Sequence, residues 1–220
     1  MIVDDSSAAA VHGQQAFDDC LQLLRATAAG EVADARSLRV YVPAPTVAMS
    51  RWESRQPGFD EAQRLSYEHG FEPVVRPTGG RAAVYDETCL VFDLIVREQD
   101  GLDPRPMFAG TSARLAAEMQ RLGVDARVGE VAGEYCPGEF SINARGAVKL
   151  IGTSQRAVRG ARLLSGVIVL GGVDHLLPVL SAVNDALRLD WDPSTFGGLA
   201  AEAEVDRRQV VDAVIAALIG

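Results

Sequence analysis

Short runs of β-branched and aromatic residues, separated by glycine and proline, recur along the chain between segments with helical spacing of apolar residues. The predicted strands cover residues 38–42, 73–76, 82–85, 90–96, 124–131, 139–144, 147–151 and 163–170. The predicted helices cover residues 7–28, 60–69, 107–122, 173–189 and 205–218. Because strands and helices do not alternate strictly, the pattern favours an α+β or mixed-sheet domain over a doubly wound one. The nearly continuous apolar run 90–96 predicts a strand in the middle of its sheet.

The length of the chain, 220 residues, corresponds to one domain. No internal repeat and no Pro- or Ser-rich linker divides it, so only the last ~30 residues are a candidate for a separable element.

Charge and composition exclude several classes of partner. Thirty acidic residues against 21 basic ones give a net charge of −9, which repels phosphate, so nucleic acid is not an expected partner. The most apolar stretch, 163–173, contains three glycines and is shorter than the ~20 residues that a membrane helix needs. Residues 1–14 carry two aspartates and no apolar run, unlike a secretory signal. We therefore expect a cytoplasmic protein that does not enter a membrane.

Cysteines and histidines do not predict a disulfide framework or a metal site. The three cysteines, Cys20, Cys89 and Cys136, are odd in number and widely spaced. The histidines lie singly along the chain, so we expect no metal ion. Cys20 falls on a helical face and Cys89 at the start of a strand, which favours packing roles for both.

The segment Arg76-Pro77-Thr78-Gly79-Gly80-Arg81 is the first candidate site. Adjacent glycines after a strand allow a ligand to approach the main chain, and the two arginines supply fixed positive charge. A carboxylate, phosphate or acyl-phosphate group is the expected ligand. The spacing is neither that of a P-loop nor that of a dinucleotide fold. The alternative is an ordinary turn with two surface arginines.

Cys136, in the Pro/Gly loop 133–138, is a candidate nucleophile. A nearby cation such as Arg145 or Lys149 would favour its thiolate. The alternative is that Cys136 is a small buried hydrophobic residue.

Lys149 is followed by Leu150-Ile151-Gly152-Thr153-Ser154-Gln155-Arg156. A lysine in a short apolar strand can be partly desolvated and directed at a carbonyl or phosphate oxygen, whereas an exposed lysine on an edge strand is the alternative. The group Arg156, Arg159 and Arg162 is equally consistent with a solvated face and with a surface for an acidic carrier protein.

Taken together, these three segments resemble the biotin/lipoate protein ligase and octanoyltransferase superfamily over residues 15–190. Arg76-Pro77-Thr78-Gly79-Gly80-Arg81-Ala82 is most similar to the cysteine-dependent octanoyltransferases of the Gram-positive type. Tyr85 stands where the family usually has histidine. Lys149-Leu150-Ile151-Gly152-Thr153-Ser154-Gln155-Arg156 resembles the family motif Lys-x-x-Gly-Ser-Ala-Gln-Arg.

The resemblance implies a mixed, largely antiparallel sheet packed with helices around an acyl pocket. It implies an acyltransferase catalytic domain over residues 1–190, with a C-terminal helical tail, 191–220, packed on it. Cys136 takes the role of nucleophile and Lys149 contacts the acyl carbonyl. The expected substrate-binding residues are Arg76, Thr78, Gly79, Gly80, Arg81, Gly152 and Thr153. We expect the apolar chain to contact Val74, Val84 and Leu94.

The function that the resemblance implies is transfer of an octanoyl or lipoyl group from an acyl carrier protein or a lipoyl-domain donor. The acyl group passes through a thioester on Cys136 to the lysine of a lipoyl-domain acceptor protein, and this route needs no cofactor. The first alternative is an ATP-dependent lipoate-protein ligase, which uses ATP and Mg²⁺ to form an acyl-adenylate. The second is a non-catalytic homologue that binds an acyl ligand.

Overall fold

The computed structural model describes residues 1–98, 103 and 105–220. The helices in those residues are α1 (Gly13–Ala29), α2 (Phe59–Glu68), α3 (Arg105–Arg121), α4 (Leu177–Ala186) and α5 (Arg207–Ile219). The strands are β1 (Ile2–Asp5), β2 (Arg36–Tyr41), β3 (Thr46–Met49), β4 (Glu72–Val75), β5 (Ala83–Tyr85), β6 (Cys89–Arg97), β7 (Ala126–Val128), β8 (Ile142–Ala144), β9 (Val148–Val158) and β10 (Ala161–Val169).

The strands form two sheets. The larger sheet has the order β1-β2-β6-β10-β9-β8-β7, and only its β1–β2 pair is parallel. The smaller sheet has the order β4-β3-β5, with β3 parallel to β4 and antiparallel to β5. The predicted fold, a mixed and largely antiparallel sheet packed with helices, is confirmed. β6 lies inside the larger sheet, as its apolar run predicted.

Strand β6 is buried on both faces of the larger sheet, and its successive side chains point to opposite sides. On β6, Phe92 and Leu94 face a core that includes Leu115 of α3 and Val214 of α5. Val91 faces a second core, which the small sheet, α4 and part of α1 complete. Burial on both sides explains why β6 reads as an uninterrupted apolar run.

Several predicted element boundaries are wrong. The strand predicted to end at residue 151 continues as β9 to Val158, because β10 pairs with it from Ile151 through Val158. The pairing carries it through Gly152 and the small polar residues that follow. The helix predicted from residue 7 begins at Gly13, since Ile2–Asp5 pairs with β2. Strands β1 and β3, of four residues each, were missed.

Other predicted elements are longer or shorter in the structure. The helix predicted over 173–189 covers only α4, and the strands predicted over 124–131 and 139–144 shrink to β7 and β8. The loop predicted at 191–198 includes a 3-10 turn, Pro193–Thr195. These differences lie at element ends, where chain-local signals compete with tertiary contacts.

Gly166 of β10 lies directly opposite Phe92 of β6, and the Phe92 ring fills the space of the missing side chain. A Cβ at residue 166 would lie 2.2 Å from the Phe92 ring, whereas a Cβ at Gly172 would meet nothing within 4 Å. We expect Gly166→Ala to lower the free energy of unfolding by about 1–3 kcal/mol through overpacking.

Urea denaturation at constant m-value measures this difference. Gly172→Ala is the matched control and should change the free energy of unfolding far less. Equal effects of the two substitutions would contradict this account of the packing.

Candidate active site

A cavity of about 610 Å³ lies on the face of the larger sheet that carries Val91 and Val167. Its walls include three chain segments that carry the predicted site: the glycine loop (residues 76–81), the cysteine loop (residues 131–141) and β9. The structure brings all nine predicted site residues to these walls: Arg76, Thr78, Gly79, Gly80, Arg81, Cys136, Lys149, Gly152 and Thr153.

Cys136 is half-buried, whereas Cys20 and Cys89 are buried in the cores. Burial raises the pKa of the Cys89 thiol to about 12 and raises the pKa of Cys20 further still. The Arg81 main-chain N–H donates a hydrogen bond to Cys136 Sγ at 3.2 Å. Cys136 is therefore the described cysteine that combines exposure with a hydrogen-bond donor at its sulfur.

Gly80 permits this approach of the glycine loop to the cysteine. Its φ is +97°, and a Cβ there would lie 2.7 Å from Arg76 Nη2 and 3.2 Å from Cys136 Sγ. Both the backbone conformation and the space favour glycine.

Lys149 is buried, so the alternative of an exposed edge-strand lysine is wrong. Its Nζ donates to the Cys136 carbonyl oxygen at 2.6 Å and to Glu134 Oε1 at 3.1 Å. Glu134 is also buried and accepts further hydrogen bonds from the Ser141 hydroxyl and the Val131 N–H. Lys149 therefore joins β9 to the loop that carries Cys136.

Glu134 was missed in the sequence, where it is an ordinary acidic residue two positions before Cys136. Its burial depends on Lys149, 15 residues further along the chain. The only signal in the local sequence was that Glu134 lies two positions before Cys136, the candidate nucleophile.

Side-chain hydrogen bonds hold the glycine loop in place. Arg76 is 8% exposed and its Nη2 donates to the Arg81 carbonyl oxygen at 2.6 Å. The Ser154 hydroxyl of β9 donates to Thr78 Oγ1 at 2.9 Å. Arg76 is therefore not a surface arginine, whereas Arg81 is partly exposed.

The three arginines that end β9 and begin β10 do not form one solvated face. Arg156 donates to the Pro77 carbonyl oxygen, and Arg162 is buried and pairs with Glu98. Arg159 is the exposed member of the group. Their different environments were not predictable from the sequence, because Arg156 and Arg162 make contacts with distant segments of the chain.

The inner wall differs from the expectation. Val74, Val84 and Leu94 do not line the cavity; Val74 and Val84 pack in one core and Leu94 in the other. The wall is instead formed by their neighbours on the alternate face, which are Ala83, Tyr85, Val91 and Asp93. The expectation chose the wrong face of these strands. The sequence does not show which face lines the cavity, because side chains on both faces are buried.

Tyr85, which occupies the usual histidine position of the family, is buried in this inner wall. Burial raises the pKa of its hydroxyl group. Tyr85 therefore contributes a neutral aromatic surface to the cavity.

Asp93 is a buried carboxyl group in the wall and was missed in the sequence. It lies opposite Ser165 of β10, whose hydroxyl donates to Asp93 Oδ1 at 2.5 Å. Burial raises the pKa of Asp93, although Ser165 and Arg39 partly oppose the shift. The cavity is thus mainly apolar, with one polar pair in its floor.

Within the described ranges, no group of three His, Cys, Asp or Glu side chains is arranged to hold a metal ion. The same residues contain no helix with the length and apolar character required to cross a bilayer.

The raised pKa of Asp93 predicts a pH-dependent effect on stability. The folded protein holds the proton more tightly than the unfolded chain, so ionisation opposes folding as pH rises above the ordinary carboxyl value of 3.8. We expect Asp93→Asn to gain stability relative to the unmodified protein between pH 4 and pH 8, measured by denaturant titration.

Asp4 provides the opposite control, because hydrogen bonds from Ser6 lower its pKa. Asp4→Asn should therefore lose stability relative to the unmodified protein as pH rises toward the ordinary carboxyl value of 3.8 and just beyond it, and the loss should disappear on acidification below that value. The same pH trend in both variants would contradict the assignment.

The buried Lys149–Glu134 pair predicts a large effect of removing one charge. Lys149→Met leaves Glu134 buried without its cation, which should lower the free energy of unfolding by about 3–5 kcal/mol. Adding Glu134→Gln should recover part of the loss in chemical denaturation.

The exposed Arg127–Asp125 pair supplies the control, and Arg127→Met should leave stability nearly unchanged. A double variant no more stable than Lys149→Met would show that the pair is not the source of the effect.

Residues 14–190 match the family model described as "Lipoyl protein ligase A/B catalytic domain". The chain is 37% identical over 123 residues to the octanoyl-[GcvH]:protein N-octanoyltransferase of Exiguobacterium sp., covering 56% of this chain and 44% of the relative. It is 34% identical over 154 residues to the enzyme of the same name from Exiguobacterium sibiricum, covering 68% and 53%. The chain spans about half the length of these curated relatives.

Solved structures show the same fold. A lipoate-protein ligase A bound with ATP superposes with a TM-score of 0.73 at 22% identity, covering 98% of this chain and 83% of that one. The bipartite lipoate protein ligase of Thermoplasma acidophilum superposes with a TM-score of 0.69 at 19% identity, covering 94% and 80%. With the family model matched across the glycine loop, the cysteine loop and all of β9 and β10, the resemblance read from the motifs is confirmed: the chain belongs to the lipoyl protein ligase A/B catalytic-domain family.

Proposed function

We propose that this chain is an acyltransferase that moves an octanoyl or lipoyl group, through a thioester on Cys136, to the lysine of a lipoyl-domain protein. One observation carries the proposal: a half-buried thiol in the wall of a mainly apolar cavity has the Arg81 N–H 3.2 Å from its sulfur. The cavity suits an alkyl chain, and the thiol suits covalent catalysis.

The relatives named octanoyl-[GcvH]:protein N-octanoyltransferase support this choice of reaction. Their name also favours an octanoylated lipoyl-domain protein such as GcvH as donor. An acyl carrier protein is the second candidate donor.

In the first step the Cys136 thiolate attacks the acyl carbonyl carbon of the donor. A C–S bond to the enzyme forms, the bond from the acyl carbon to the donor's sulfur or nitrogen breaks, and the proton of the thiol ends on the leaving thiol or amine. In the second step the acceptor lysine amine attacks the enzyme thioester. A C–N bond forms, the C–S bond breaks, and a proton from the amine returns to Cys136. The two steps together need no cofactor.

Lys149 and the Arg81 N–H are the groups that favour this chemistry. The Lys149 ammonium group donates a hydrogen bond to the carbonyl oxygen of Cys136 itself, so it lies against the loop that carries the thiol. Negative charge that develops on the acyl oxygen is stabilised by the same preorganised donors.

The remaining predicted residues bind the substrate in this proposal. Arg76 and Arg81 bring positive charge to the carbonyl end of the acyl group or to a carrier's phosphopantetheine. Thr78, Gly79, Gly80, Gly152 and Thr153 form the walls beside it.

We also propose that residues 1–190 form the catalytic domain and that the tail 191–220 packs on it. The tail residues Val210, Val214 and Leu218 support this, since they share a core with α3 and the larger sheet.

ATP-dependent ligation is the second candidate function. It is favoured by the shared fold of the ATP-bound ligase and would require ATP and Mg²⁺. In that reaction Cys136 would have no covalent role, so the two functions make different predictions for this thiol.

Intact-mass spectrometry after incubation with octanoylated GcvH, or with octanoyl carrier protein, tests the transferase proposal. Without ATP we expect one octanoyl increment, which hydroxylamine releases because it is a thioester. Cys136→Ser should abolish the hydroxylamine-labile adduct and reduce transfer to a lipoyl domain at least about 100-fold.

Cys89→Ala is the matched control, because Cys89 is a buried cysteine of the adjacent core, and it should retain the adduct. Absence of an adduct from both donors, with acylation that depends on ATP, Mg²⁺ and free lipoate, would select the ligase. Tight acyl binding without transfer under either condition would select a non-catalytic homologue.

A further inference from the structure

We propose that Glu53 is a positioning residue that orients the Arg81 N–H toward Cys136 Sγ. Glu53 does not line the cavity and lies outside the motifs found in the sequence. The inference rests on the proposed role of Cys136 and adds to it a residue that acts through the glycine loop.

Glu53 is 0% exposed and begins the 3-10 turn Glu53–Arg55. Its Oε1 accepts a hydrogen bond from the Ala82 N–H at 2.7 Å. Its Oε2 accepts from the Ser50 N–H at 2.6 Å and from the Ser50 hydroxyl at 2.9 Å. Three directed donors satisfy a carboxylate that would otherwise be costly to bury.

The hydrogen bond to Ala82 fixes one end of the peptide unit between Arg81 and Ala82. The other end, the Arg81 carbonyl oxygen, accepts from Arg76 Nη2 at 2.6 Å. An anion therefore binds the N–H and a cation binds the C=O of a single planar unit. Groups of opposite charge at the two ends hold the peptide dipole in one orientation.

This clamp determines where the preceding N–H points. The Arg81 N–H belongs to the adjoining peptide unit and donates to Cys136 Sγ at 3.2 Å. Gly80 before it has a φ of +97°, so the loop by itself has the conformational freedom of glycine. The fixed 81–82 peptide restricts that freedom on the side next to the thiol.

The other charged or titratable groups around Cys136 lie on different segments. Arg76 and Arg81 belong to the glycine loop, Glu134 and Tyr135 to the cysteine loop, and Lys149 to β9. A substitution of Glu53 leaves all five in the sequence. Glu53→Gln removes one buried negative charge, which by itself would move the midpoint of thiol ionisation downward, so an upward shift reports the orientation of the loop.

The experiment is the rate of Cys136 alkylation by iodoacetamide as a function of pH in Glu53→Gln, with Cys136→Ser as the labelling blank. Glutamine has a single acceptor oxygen, so it cannot accept from both the Ala82 N–H and the two Ser50 donors, and its NH₂ group is placed against a donor on one side. We expect the midpoint of the pH–rate curve to move upward and the rate at pH 7 to fall about three- to tenfold, the factor for one net hydrogen bond. The plateau rate at high pH should change little, because access to the thiol is retained.

Glu202→Gln is the matched control. Glu202 is also a buried acidic side chain, at 5% exposure, but it pairs with Arg145. Its midpoint should equal that of the unmodified protein. Glu53→Asp, which keeps the charge and shortens the reach to Ala82, should give a midpoint shift in the same direction as Glu53→Gln.

An unchanged midpoint in folded Glu53→Gln overturns the proposal, as does a change confined to the plateau rate. Failure of both Glu53 variants to fold would also overturn it, because Glu53 would then serve folding and not positioning. Alkylation requires no acyl donor. A missing octanoyl adduct would therefore count against the proposed function alone, and an unchanged midpoint against the role of Glu53 alone.

Discussion

The ion pair between Lys149 and Glu134 determines the geometry of the candidate active site. Two buried charges are tolerated only when their hydrogen bonds are complete, and here Ser141, Val131 and the Cys136 carbonyl complete them. The pair therefore fixes the cysteine loop against a strand of the larger sheet. The position of the thiol, the hydrogen bond from Arg81 and the shape of the cavity all depend on that attachment.

The two loops of the candidate active site are supported in the same manner. The cysteine loop is held by a buried carboxylate and a lysine, and the glycine loop by a buried carboxylate and an arginine, Glu53 and Arg76. In each case the charged side chains bind main-chain groups close to Cys136. Irregular segments, which have few backbone hydrogen bonds of their own, thus become as fixed as the strands beside them.

The sequence was sufficient to predict the fold class, the middle strand and every residue of the candidate site that belongs to a motif. Residues 76–81 and 149–156 combine glycine, arginine and lysine at short spacings, so these segments can be identified as candidate sites without knowing which distant residues they contact. The cavity floor was not predictable in the same way, because β5 and β6 are buried on both faces and their apolar runs do not show which face meets the ligand. Glu53, Asp93 and Glu134 were missed, since an acidic residue is buried only when distant donors reach it. The length of β9 likewise depends on its pairing with β10.

The Phe92 ring packs against Gly166, between the hydrophobic core and the cavity. Gly166 contributes to the cavity wall, and the fully buried Phe92 ring lies against it. At this point only the thickness of one backbone separates the hydrophobic core from the space for the ligand. A change of volume on one side is transmitted to the other, so stability and the shape of the cavity cannot be altered independently there. The volume of the cavity is more easily changed through Val91 and Val167, whose side chains can change size without entering the Phe92 core.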